Sequence, residues 1–85
     1  MGLPNIFKKK SVVYRMTDIG KKKHDNALIE SVPKMDIMVF LNDNGDSSPR
    51  EIAEHTKIDE NRVKMLLHQM AQEQWIEPRG SRDDS

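Results

Sequence analysis

The sequence predicts one mainly α-helical domain with a small β-sheet, and three observations carry that expectation. The run from Ser47 to Ile76, SSPREIAEHTKIDENRVKMLLHQMAQEQWI, holds two short stretches with helix-start signals and ends in residues suited to a strand. Met35 to Leu41 is apolar on nearly every side and follows Pro33, as expected of a central buried helix. Val12 to Met16 places valines and a tyrosine where extended structure is favoured. With 85 residues, 35% of them hydrophobic, the chain can build one modest core.

Taken in order, residues 1–10 read as a flexible basic arm, followed by a strand over 12–16. Thr17 then offers a cap for a helix from Asp18 to about Ile29, which Gly20 weakens in its first turn. Pro33 opens the next helix, which runs to Asn42; Asn42-Asp43-Asn44-Gly45 is a turn. Ser48 caps a short helix, Pro49 suits its first position because an amide hydrogen there would lack a partner, and Glu51 completes a capping box. That helix ends near Thr56. Asp59 caps a second one, over 59–74, whose Val63, Leu66, Leu67 and Met70 form a single apolar stripe. Trp75 and Ile76 begin a strand, with Trp75 sealing the core from below, and residues 80–85 are expected to form a disordered tail. Two short helices joined by a tight turn make the outline of a helix-turn-helix.

Ile52 and Ala53, then Ile58, then Val63, Leu66, Leu67 and Met70, ending in Trp75 and Ile76, resemble the winged helix-turn-helix domains of small transcriptional regulators. The pattern looks like the multiple-antibiotic-resistance regulator group and related archaeal regulators, and the match covers roughly residues 33–79. In that family the second helix is the recognition helix and the strand after it opens the wing. VVYRMTDIGKK, residues 12–22, is similar to the strand and helix start that usually follow the wing, yet here it comes first. Either Val12 to Met16 pairs with Trp75 to Arg79, closing the sheet from the opposite end of the chain, or the region is the remnant of a preceding repeat. The pairing is favoured, and because two strands alone are marginal, it must pack on the helices. The winged domain then spans 11–79.

The resemblance implies a double-stranded DNA partner and a role in transcription regulation. The helix 59–74 would enter the major groove by its first turns, where Asn61, Arg62, Met65, His68 and Gln69 approach base edges. Lys64 and the run Lys21, Lys22 and Lys23 would hold phosphates, and Arg79 would reach the minor groove or backbone from the wing. Net charge is zero, but residues 1–34 stand at +5 and residues 35–85 at −5. The lysine runs therefore form a basic segment that serves either as phosphate contact or as plain solvated surface. Acidic Asp59, Glu60 and Glu73 outnumber Arg62 and Lys64 on the proposed recognition helix and would repel phosphates unless they point away. That conflict keeps a second reading open, a winged helix that binds a protein partner. The chain also stops before a wing hairpin could return, which puts wing contacts in question.

Other chemistries find little support. The oxygen-rich turn near Gly45 lacks the spacing of a calcium loop, and His24, His55 and His68 have neither helical ligand spacing nor a cysteine to join them. No catalytic motif, phosphate loop, cofactor signature or small-molecule site is evident, so the chain is expected not to be an enzyme. The longest nearly apolar stretch is seven residues and contains Asp36, so no membrane span is expected. Position 6 is isoleucine where a myristoylation signal needs serine or threonine. The absence of cysteine fits a reducing cytoplasm. No coiled-coil heptads occur, and a homodimer through residues 18–42 stays open.

Overall fold

The computed structural model describes residues 9–84, with side chains over 11–81. The element order is β1 (Lys9–Met16), α1 (Asp18–Asp25), α2 (Val32–Asn44), α3 (Pro49–Thr56), α4 (Glu60–Gln72) and β2 (Ile76–Asp84). It is mainly helical with one small sheet, as the patterning predicts.

Each helix start is locally encoded. The Thr17 hydroxyl accepts from the Gly20 amide, and Ser31 accepts from Lys34 just ahead of Pro33. Ser48 and Glu51 form the reciprocal capping box, with the Ser48 amide donating to Glu51 Oε1 at 2.9 Å. Asp59 Oδ2 accepts from both Asn61 and Arg62 amides. These bonds satisfy donors that the first helical turn leaves unpaired.

The helix ends differ from expectation. α1 stops at Asp25, short of Ile29, because Ala27 takes the left-handed conformation at φ 52°. Its amide donates to His24 O, and the Leu28 amide reaches back to Lys23 O. α4 closes the same way: Gln74 has φ 67°, its amide donates to Ala71 O, and the Trp75 amide donates to Met70 O. Both are Schellman motifs made without glycine. α2 runs past the expected turn through Asn44, whose side chain donates to Phe40 O, and Gly45 at φ 73° ends it.

The turn between α3 and α4 is Lys57, Ile58 and Asp59, and Lys57 adopts φ 66°. A left-handed residue with a Cβ costs about 1 to 2 kcal/mol, whereas glycine loses about 0.5 to 1 kcal/mol in chain entropy. Lys57→Gly is therefore expected to stabilise the domain by about 0.5 kcal/mol, seen as a higher midpoint in urea; a lower midpoint would show that the lysine side chain supports the turn.

β1 and β2 pair antiparallel, with Met16 opposite Ile76, Arg15 opposite Glu77 and Tyr14 opposite Pro78. The N-terminal strand thus does close the sheet from the other end of the chain. Beyond Pro78 the register slips: Val12 faces Ser81, so Arg79 and Gly80 together oppose Val13. Gly80 at φ 114° accommodates this bulge in a conformation L-residues avoid. The ribbon then continues to Lys9 opposite Asp84. Lys9 and Lys10 of the expected flexible arm belong to a strand, as do residues 80–84 of the expected tail; residues 1–8 lie outside the described residues. Tyr14 also makes a bridge with Ser47 through two backbone bonds, 2.8 and 3.0 Å, which ties β1 to the loop between α2 and α3.

The core is built from Ile29, Ile37, Met38, Leu41, Ile52, Val63, Leu66, Leu67, Met70 and Ile76. The α4 stripe is buried in full. Tyr14 and Met16 pack on this cluster from the sheet, and half-buried Trp75 packs on it from the end of α4. α2 supplies Ile37, Met38 and Leu41, while Val39 faces solvent, so this helix has an outer side after all. Among the described residues, no helix is long and apolar enough to cross a membrane.

Candidate nucleic-acid interface

The outward face of α4 follows from its buried face. With Val63, Leu66, Leu67 and Met70 turned into the core, a rotation of 100° per residue puts Met65 on the opposite side, about 30° from its middle. Asn61 and Gln69 lie about 40° to either side of it, and Arg62 and His68 about 60°. All five are exposed, with Met65 at 53%. The helix therefore gathers the five residues expected to approach base edges onto one surface.

The acidic residues that argued against DNA stand elsewhere. Asp59 is spent as the cap, its carboxylate turned onto the Asn61 and Arg62 amides. Glu60 lies on the flank of the helix, with Oε2 3.4 Å from Lys64 Nζ. Glu73 is the C-terminal cap residue, about 20 Å from Glu60 along the axis. No carboxylate shares the centre of the face with Met65. Arg62 makes no ion pair among the described residues, so its guanidinium is available; the exposed Glu60–Lys64 pair holds Lys64 only weakly.

Lys21, Lys22 and Lys23 lie on α1, whose start is anchored at the other end of α4. The Thr17 hydroxyl donates to Gln74 O at 2.5 Å, and its amide donates to Trp75 O at 3.0 Å. These bonds anchor the start of α1 beside the C-terminal end of α4, about 18 Å along the helix from Arg62. Lys21 is partly engaged, with Nζ 3.4 Å from both Asn42 Oδ1 and Asp25 Oδ2. Hydrogen bonding from His24, aided by Lys21, holds the Asp25 carboxyl below its usual range.

Arg79 is exposed at the bulge of the ribbon, the position expected of a wing contact. β2 takes β1 as its antiparallel partner. Exposed His55, which the sequence left as a surface histidine, tilts over Phe40 with ring centroids 4.7 Å apart. Lys34 Nζ stands 5.7 Å from the Trp75 ring centre, a cation–π contact that covers the outer side of the indole. Neither contact was legible in the sequence, since each joins residues of two different elements. No family model matches this chain, and no curated protein or solved structure matches it.

Proposed function

We propose that this protein binds double-stranded DNA as a small transcriptional regulator of winged helix-turn-helix type, inserting α4 into the major groove. The single observation that carries the reading is the composition of the outward face of α4. Asn61, Arg62, Met65, His68 and Gln69 are exposed together there, and the neighbouring carboxylates are committed to a cap and a flanking pair. Arginine pairs bidentately with guanine, asparagine and glutamine pair with adenine, and an apolar side chain suits the thymine methyl. Lys64 and Arg79 supply phosphate contacts, whereas Lys21, Lys22 and Lys23 contribute only to the general field at a distance. No catalytic step, cofactor or small-molecule substrate enters this reading, and the cysteine-free chain suits the cytoplasm. A homodimer would let two copies of α4 read two half-sites.

A protein-interaction module is the second reading, favoured by one fact: Met65 is a large apolar side chain at the centre of the same exposed face. Salt dependence separates the two. Titration of random-sequence duplex at about 50 and 200 mM salt should give binding that weakens steeply with salt, because phosphate contacts release counterions. Arg62→Ala is expected to weaken binding by about 1 to 3 kcal/mol on a guanine-containing site and leave the thermal midpoint unchanged. Folded protein that fails to bind at the lower salt would move the assignment to a protein partner.

A further inference from the structure

We infer that the centre of the α4 face selects T·A base pairs, with Met65 reading the thymine 5-methyl group. The inference rests on the DNA-binding reading and names the bases that this site takes.

Met65 combines two properties that are seldom found together. It is unbranched and 53% exposed, and it sits on the outward side of α4 between Asn61 and Gln69. A helix that enters the groove by this face brings the methionine to the groove floor together with Asn61, ahead of Arg62 at the edge. The floor offers one apolar group, the thymine methyl; the other major-groove edges present hydrogen-bonding atoms. A thioether placed against those atoms would desolvate them without pairing them. Met65 can therefore rest favourably only on thymine.

The neighbours on the same face complete the base pair. Asn61 and Gln69 stand one helical turn before and after Met65, about 6 Å along the axis, and both are exposed amides suited to the paired donor and acceptor of adenine. Base pairs are stacked about 3.4 Å apart, so an amide one turn away reaches the adjacent adenine while the methionine covers thymine. Arg62 lies at the edge of the face and is placed to read a guanine beside this step rather than its centre. Asp59 and Glu60, which would accept from cytosine, are held at the cap and the flank.

Deoxyuridine provides the test, because it pairs as thymine does but lacks the methyl group. Random duplex libraries would be prepared in parallel with thymidine and with deoxyuridine, and the intact protein would be used to select bound sequences from each at about 50 mM salt. The thymidine library is expected to yield sites containing a T·A step, and a selected duplex should lose about fourfold in affinity when one central thymine becomes uracil. Met65→Ala should bind the two duplexes equally, and Met65→Leu should retain the preference. Salt-sensitive binding that ignores the methyl, or selected sites without T·A pairs, would overturn the inference and leave the DNA reading intact. Absence of binding to either library by folded protein would overturn both.

Discussion

Gly20→Ala is expected to destabilise the domain by about 3 kcal/mol, lowering its thermal midpoint by more than about 10 °C. A Cβ at this position would lie 2.0 Å from the Trp75 carbonyl oxygen and 2.8 Å from Met38 Cε. The methionine end can move, but the carbonyl cannot, because Trp75 is the last residue of the Schellman closure and bonds the Thr17 amide. In an exposed helix interior the same change would gain about 1 kcal/mol through helix propensity. The sign of the effect thus reports the docking of α1 against the end of α4. A rise in midpoint measured by circular dichroism would mean that α1 does not sit there.

Leu67→Ala is expected to cost a similar amount, about 3 kcal/mol, and to abolish the proposed DNA binding only through unfolding. Leu67 is 1% exposed and lies between Val63 and Met70 on the buried stripe of α4, so its truncation leaves a cavity at the junction of α4 with the core. Total stability for 85 residues is roughly 4 to 13 kcal/mol, so the variant retains little reserve. Arg62, on the opposite side of the same helix, supplies the contrast: Arg62→Ala should remove affinity and spare the fold. Denaturant melts run beside DNA titrations check both. Loss of binding by a fully folded Leu67→Ala variant would contradict the division of α4 into a core face and a contact face.

Three of the four helix caps were legible because capping is local, whereas Ser31, the cap of α2, was not named and only Pro33 marked that start. Thr17, Ser48 with Glu51, and Asp59 each act within three residues of chain, and all were identified from spacing alone. Two of the helix ends were not legible. Ala27 and Gln74 adopt left-handed conformations without the glycine that usually marks such a site, and they are held there by backbone bonds within the closing turn. The full length of the ribbon was missed for a related reason. Lys9, Lys10 and residues 80–84 have polar, turn-like composition, yet each strand finds its partner some 70 residues away.

By itself the sequence determined α3, α4 and the turn between them, the buried stripe of α4 and the set of side chains on its outer face, because helical periodicity assigns residues to opposite sides of one element. Tertiary structure alone decided which charges accompany that face. The close approach at Gly20 sets the start of α1 beside the C-terminal end of α4, the far end of that helix from Arg62, while strand pairing brings Arg79 onto the ribbon. Such placements depend on contacts between distant segments, and no local pattern of charge encodes them.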